Sequence, residues 1–412
     1  MGSCFSSPSE APAPREGFIC DEEPNVLSAQ KGFGYLPIVP DKTLCDGQFR
    51  VIRKLGWGGN STVWLARNTQ SSQYAAIKVM TAHATSLQKA GLLAEVAFLK
   101  CIESTNPKHR GYQHCSRFLE TFFETGVEGQ HLCFVMEPLG MDLAAYRRSF
   151  PGSKLPLLAV KRLTKQTLLA LEYLHLECEI IHSDLKPGNI LISVENVEDA
   201  LAADLTQEET NLYPARHDER ISDQPIITAK SRPFVSKDLE DDGSNIVVKL
   251  GDFGHANWTS KHLANDILPE LLRPPEVILG CGWDTSVDIW SLGCLTFEYL
   301  TGVNLFIEES SPNFTILDSL LAQFLQLCPE TTYPPEMVAR ASRRKQYFTR
   351  SGQLRRVRPG PRTDLRDSLR DFNLPEEEIQ PAVSFIYACI QINPASRPQA
   401  RDLINDPWLQ GV

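Results

Sequence analysis

His182-Ser183-Asp184-Leu185-Lys186-Pro187-Gly188-Asn189, followed about sixty residues on by Gly251-Asp252-Phe253-Gly254, decides the reading of this chain. The first stretch offers a carboxylate, an ammonium and a carboxamide close together. The second adds a carboxylate in a turn bounded by glycines. Together they provide an acid–base group, a cation to neutralise moving charge, and two oxygen donors for a hard divalent ion. That set suits transfer of a phosphoryl group from ATP to a hydroxyl. Asp184 is placed as the base for the hydroxyl proton. Lys186 faces the γ-phosphate, and Asn189 and Asp252 are placed as Mg2+ ligands.

Upstream, Phe49-Arg50-Val51-Ile52-Arg53-Lys54-Leu55 has strand character and runs into Gly56-Trp57-Gly58-Gly59-Asn60-Ser61-Thr62-Val63. Glycines at 56 and 58 let backbone N–H groups approach phosphates. Ser61 stands where a third glycine is usual. Taken alone, a plain hairpin turn explains this loop nearly as well. Ala75-Ala76-Ile77-Lys78-Val79 follows as an apolar strand with one lysine, which is costly to bury unless paired. Glu95 lies in a segment of helical spacing, and a Lys78–Glu95 ion pair aims the ammonium at the α- and β-phosphates. Val63 and Ala76 then sandwich an adenine. Leu132 to Gly140 reads as a buried strand entering an extended linker. Met136 lines the back of the pocket there, and the Glu137 carbonyl and Leu139 N–H meet the base, with Leu55 at its edge. Pro138 lies between the two contacts, so its missing N–H costs nothing.

Residues 158–177 repeat their leucines at helical spacing and read as core. Pro274-Pro275-Glu276 and Asp288-Ile289-Trp290-Ser291-Leu292-Gly293 follow, then Arg397 and a final segment, 402–409, expected to be a terminal helix.

Over residues of about 45–410 the chain resembles a eukaryotic protein kinase, and more narrowly the SR-protein kinases. The narrower resemblance rests on Leu55 to Gly58 with Ser61 to Ala66, on the His182-Ser183-Asp184 variant, on Gly254-His255-Ala256-Asn257-Trp258, and on Pro275 to Gly280. An inserted block of about fifty residues between the two opening motifs is also similar. The resemblance implies an α+β, bilobal protein-kinase fold. Its parts are a tail at 1–44, a β-rich N-lobe at 45–139, and a mainly helical C-lobe at 140–412 carrying an insert at about 194–245. It implies a serine/threonine kinase using ATP and Mg2+ on protein substrates in basic, Arg/Ser-rich contexts. It also implies a cytoplasmic or nuclear enzyme with no direct nucleic-acid binding, and Arg397 as the buried partner of Glu276. A membrane-tethered pseudokinase scaffold is the alternative.

The sequence departs from the usual kinase pattern in ways that matter. Ser183 replaces an Arg that normally grips a phosphate on the activation loop. From Asp252 to Glu276 only Thr259 and Ser260 are hydroxyl acceptors. Activity without loop phosphorylation is therefore expected. Pro269 stands where a Thr usually bonds the catalytic Asp and Lys, and Glu270 where SR-protein kinases carry Arg. Their acidic docking groove, aligned on Thr315–Leu327, reads Ser319 and Gln326.

The composition, 42% hydrophobic and 22% charged, is that of a soluble globular protein. The 11 cysteines show no C-x-x-C pair, so neither a disulfide framework nor a zinc site is indicated. The net charge of −10 is unevenly spread: residues 195–245 hold 13 Asp/Glu against 5 Lys/Arg, and residues 340–370 hold 11 Lys/Arg against 2 Asp. Both stretches read as solvated segments. At the N-terminus, Gly2 with Ser6 fits N-myristoylation, and Cys4 offers a palmitoyl site. A single myristoyl chain binds membranes only marginally, so the pairing matters.

Overall fold

A computed structural model gives the structure of residues 22–25, 27–204, 212–215, 225–233 and 239–412. Gly2 and Cys4, with the acylation expectation, lie outside these residues.

The N-lobe is one antiparallel sheet. Its strands are β1 (Thr43–Leu44), β2 (Phe49–Gly58), β3 (Ser61–Asn68), β4 (Tyr74–Met80), β5 (Phe118–Gly126) and β6 (Gly129–Met136). They lie in the order β1-β2-β3-β4-β6-β5. Alternation along β6 shows why the sheet holds. Leu132 and Phe134 point into the core shared with the rest of the molecule. Cys133 and Val135 point to the opposite face, onto Leu36, Ile38, Phe49, Trp64 and Ile77. Successive side chains of a strand take opposite faces, so a run of apolar residues needs a core on each side. Helix α1 (Ala82–Lys89) starts at Thr81, whose hydroxyl accepts from the Ala84 N–H at 3.1 Å. Helix α2 (Glu95–Ser104) follows and carries Glu95 in its first turn.

The C-lobe is built around α4 (Leu157–Glu172) and α7 (Ser286–Thr301), entered through the short α3 (Leu143–Arg148). The apolar repeat expected over 158–177 is present, but the helix widens to a π-turn at Tyr173–Glu177. α7 is buried along Val287–Thr301, which suits a helix at the centre of a lobe. Two short ladders bring the opening motifs together. β7 (Ile180–Ile181) pairs with β10 (Asn257–Trp258), and β8 (Ile190–Ile192) pairs with β9 (Val248–Leu250). The loop 182–189 is therefore strung between two strands whose partners flank Gly251–Gly254.

Four expectations change. Residues 35–44 are not tail: Tyr35, Leu36, Ile38 and Leu44 are buried against the sheet. Nor is the acidic insert simply a solvated loop. Its α5 (Val197–Asp204) packs Leu201 onto Leu65, and Ala229 is buried in the N-lobe cluster. Although it leaves from the C-lobe, the insert leans on the N-lobe. The basic stretch is also partly structural. Arg356 pairs with the buried Asp318 at 2.8 Å, and Arg362 donates to the Cys328 carbonyl at 2.8 Å, past the end of α8 (Ile316–Leu327). Helix C-termini leave carbonyls unpaired, and arginine satisfies them. Finally, the terminal helix is broken into Ala400–Leu403 and a turn at Pro407–Leu409. Pro407 forces Asp406 into an extended backbone. Among the described residues, no helix is long and apolar enough to cross a membrane.

Candidate active site

The sheet and the two ladders meet at a cavity of about 450 Å³, a size suited to a small-molecule ligand. Leu55, Gly56, Gly58, Ser61, Val63, Ala76, Lys78, Met136, Glu137 and Leu139 all line it. So do Glu95, Lys186, Asn189 and Asp252 from the chemistry-bearing set. The glycine loop is a hairpin, with Gly56 opposite Val63 and Gly58 opposite Ser61. A Cβ at Gly56 or Gly58 would meet nothing within 4 Å, and neither has a positive φ. Packing and backbone conformation therefore do not demand glycine there. Close approach of a ligand does. The tip of the hairpin is pinned by the Tyr35 hydroxyl, which donates toward the Gly58 carbonyl at 2.8 Å and that of Gly59 at 3.0 Å.

Lys78 sits on β4 and Glu95 at the start of α2, so their pairing at 2.6 Å fixes the helix against the sheet. The same ammonium reaches Asp252 Oδ1 at 2.9 Å. Burial works against the Lys78 charge, but Asp252 and then Glu95 outweigh it and hold its pKa above the ordinary lysine value. Conversely, the Lys78 ammonium holds the Asp252 carboxyl well below the usual carboxylate range. Both groups stay charged at neutral pH. Asp252 has a left-handed backbone, φ 56°, which turns its carboxylate out of the β9 line.

Asp184 is absent from the cavity wall and sits just behind it. Its Oδ2 accepts from Lys186 Nζ at 2.7 Å and from Asn189 Nδ2 at 2.9 Å. Asn189 Nδ2 also donates to the Asp184 carbonyl at 2.8 Å. Since the amide nitrogen is committed to Asp184, the carboxamide presents its oxygen to a cation. Asn189 and Asp252 thus offer one neutral and one anionic oxygen donor, which fits Mg2+ held partly by phosphates. Among the described residues, no group of three or more His, Cys, Asp or Glu could hold a metal alone.

Several supporting contacts were not visible in the sequence. Asp288, fully buried at the start of α7, accepts from the His182 N–H (2.8 Å), the Ser183 N–H (2.9 Å) and His175 Nε2 (2.9 Å). It thereby clamps the loop where Ser183 takes φ 62°. His182 Nε2 meets the Gly251 carbonyl at 3.1 Å and ties the two motifs together. The Glu137 carboxylate accepts from the Arg117 N–H (2.7 Å) and Lys249 Nζ (2.7 Å), anchoring the linker to both lobes. Pro233, from the insert, lines the cavity. Asp288, His182 and Glu137 stood in stretches that the sequence reading singled out, but their partners did not show there; His175, Arg117, Lys249 and Pro233 gave no signal.

The departures also find places. Ser183 is buried, and its hydroxyl accepts from Asn257 Nδ2 at 3.2 Å. Asn257 Oδ1 in turn accepts from the Leu263 N–H at 2.6 Å. The segment after Asp252 is thus fastened to the catalytic loop by neutral hydrogen bonds. Lys186 bonds Asp184 directly, with no hydroxyl from position 269. Glu276 and Arg397 form a bidentate pair at 2.6 and 2.8 Å, both side chains fully buried.

Known proteins match this architecture. The protein kinase domain family matches residues 49–206 and 235–409. A serine/threonine-protein kinase SRPK of Physarum polycephalum is 32% identical, with 96% of this chain and 93% of that protein covered. The chain belongs to the SR-protein kinase-like serine/threonine protein kinases. This kinase is also 30% identical to protein kinase dsk1 of Schizosaccharomyces pombe, over 92% of this chain and 84% of that one. SRSF protein kinase 3 of Homo sapiens is 24% identical, over 91% and 88%. A crystal structure of the PF14_0431 kinase domain superposes with a TM-score of 0.65 at 25% identity, covering 91% of this chain and 99% of that one. The kinase is an ATP-dependent protein serine/threonine kinase, with the bilobal fold expected from its motifs.

Proposed function

We propose that this kinase phosphorylates Ser or Thr flanked by basic residues, with Asp184 as the base and Lys78, Lys186, Asn189 and Asp252 positioning the nucleotide. The Asp184–Lys186–Asn189 hydrogen-bonded cluster beside the Lys78–Asp252 pair carries this reading. Lys78 holds the α- and β-phosphates and is itself held by Glu95. Asp184 accepts the proton of the substrate hydroxyl, and Lys186 stays within reach of both the carboxylate and the transferred group. Asn189 and Asp252 are the residues that would hold Mg2+, which would supply charge neutralisation at the phosphates. Val63, Ala76, Met136 and Leu139 form the apolar wall around the adenine.

The preference for basic neighbours is supported by the likeness to kinases named SRPK and SRSF protein kinase 3 and by the Glu270 carboxylate on the segment before Glu276, where Asp266 is paired with Arg273 at 3.3 Å. The α8 face is not an open acidic groove. Asp318 is taken by Arg356, and Ser319 bonds Glu309 at 3.1 Å and Gln323 at 3.0 Å. Substrate selection therefore rests on the segment around Glu270 more than on α8. The Ser183–Asn257 contact supports activity without phosphate on Thr259 or Ser260, so phosphatase treatment should leave activity intact.

The test is incubation with labelled ATP, Mg2+ and a degenerate Ser/Thr peptide library, beside Asp184→Asn. Transfer confined to the wild type and enriched in Lys/Arg-flanked acceptors is expected. Equal background in both proteins would instead favour a scaffold. Acylation at Gly2 and Cys4 is a separate proposal resting on the motif alone. Incorporation of a myristate analogue that disappears in Gly2→Ala checks it.

A further inference from the structure

Among the described residues, the insert reaches the nucleotide cavity through the strap 225–233, and Ser231 on that strap bonds the N-terminal segment. Ser231 places its N–H 2.6 Å from Glu22 Oε1 and its hydroxyl 2.7 Å from Glu22 Oε2. Glu22 and Glu23 both bond Lys54, whose side chain is fully buried on β2. The Arg232 N–H then donates to the Lys54 carbonyl at 2.9 Å. A parallel bridge joins Lys54 and Ser231. Upstream, Thr228 Oγ1 accepts from Asn25 Nδ2 at 3.4 Å. Two residues beyond Ser231, Pro233 forms part of the cavity wall beside Leu55, Gly56 and Trp57. Strap, N-terminal segment and glycine hairpin therefore meet at one polar knot.

Negative charge added at this knot would meet two carboxylates, Glu22 and Glu23. A phosphoserine carries about −1.5 to −2 at neutral pH and has lost the hydroxyl donor. At position 231 it would face Glu22, with Glu23 on the same ammonium. Lys54 is already bonded to both carboxylates. On the strap itself, the Lys230 ammonium lies over the Tyr213 ring at 5.5 Å. Ser231 is half-buried, so the strap must open locally before the hydroxyl is presented. Its neighbours, Lys230 and Arg232, make it a serine between two basic residues.

We propose that Ser231 is a phosphorylation site of this kinase, modified in trans by a second copy, and that the phosphate frees the strap and loosens nucleotide binding. The acceptor class rests on the function proposed above. In the step, the Ser231 oxygen forms a bond to the γ-phosphorus of ATP, the bond to the ADP oxygen breaks, and the hydroxyl proton passes to Asp184 of the acting copy. ADP leaves. Once modified, the strap is expelled from Glu22, and Pro233 leaves the wall.

Two measurements on the full chain test this. Asp184→Asn protein is incubated with ATP, Mg2+ and a trace of wild type, and phosphate is mapped by mass spectrometry. Phosphate on Ser231 is expected. Its absence while a basic Ser peptide is labelled overturns this proposal alone; absence of both transfers overturns it together with the proposed function. In the second measurement, phosphoserine is installed at 231 during synthesis and compared with wild type and Ser231→Ala. Faster hydrogen exchange over 225–233 and about five- to tenfold weaker binding of a fluorescent ATP analogue are expected, the scale of a modest coupling between two sites. Ser231→Ala loses the hydroxyl without gaining charge, so it should stay near wild type. Unchanged exchange and affinity in the phosphoserine protein would overturn the switch.

Discussion

Asp288→Asn isolates how the catalytic loop is held. The carboxylate is completely buried and takes three hydrogen bonds: Oδ2 from the His182 N–H and His175 Nε2, and Oδ1 from the Ser183 N–H. A carboxamide of the same shape keeps the pair on its oxygen and turns its NH2 toward the Ser183 N–H. One charge-assisted bond is then lost, at about 1.5–3 kcal/mol, and a buried donor faces another donor, at about 1–3 kcal/mol. The expected loss of stability is therefore about 2.5–6 kcal/mol. The damage falls one residue before Asp184, at a left-handed backbone position that its neighbours must enforce. Urea unfolding should show the loss as a lower midpoint with an unchanged slope. Steady-state kinetics should show a fall in kcat with the KM for ATP nearly constant, since Lys78, Glu95 and Asp252 keep their contacts. A variant within about 1 kcal/mol of wild type with unaltered kcat would refute the argument.

The remaining predictions are briefer. Arg397→Met leaves the Glu276 carboxylate buried without its partner and should cost about 3–5 kcal/mol, while Arg397→Met with Glu276→Gln should recover part of that loss; denaturant unfolding of the two variants compares them. Asp184→Asn should reduce phosphoryl transfer by about 10²–10⁴-fold, with nucleotide binding retained in a fluorescence titration. Because its folded pKa is depressed, Asp252 contributes stability that is present above the ordinary carboxylate pKa and lost only as pH falls through the folded value. The stability gap between wild type and Asp252→Asn should thus stay flat from about pH 8 to pH 5 and close only in stronger acid, by urea unfolding at each pH.

Local chemistry made most of the site legible. Lys78 on an apolar strand demands a partner, and Glu95 is that partner. The 182–189 and 251–254 motifs carry their roles in their residue types, and two short ladders place them side by side. What stayed illegible depends on long-range contact. Glu22 and Glu23 look like two more charges in an acidic tail, yet they neutralise a lysine buried in β2. Ala229 sits in a hydrophilic insert, yet it completes the N-lobe cluster. Arg356 and Arg362 belong to a basic run whose composition says solvent, while their partners are a buried carboxylate and carbonyls past the end of α8. Composition reports the average neighbourhood of a segment, whereas each of these residues is decided by one specific partner. Ser183 was legible as a lost phosphate grip; the neutral bond from Asn257 that fastens the segment was not.

The insert's attachment also bears on how the chain is made. Glu22 and Ser231 are 209 residues apart, and Asn25 and Thr228 are 203 apart. The hydrophobic cluster on the outer face of the N-lobe sheet needs Ala229, and Leu65 needs Leu201. A ribosome that has released all six sheet strands has still not delivered these residues. The first lobe therefore emerges with an incomplete core and must wait for the chain that follows. Contacts of such sequence separation slow folding and leave apolar surface exposed meanwhile. For this kinase, the vulnerable interval in biosynthesis runs from completion of β6 to the emergence of residue 233, and holding chaperones would be needed most in that interval.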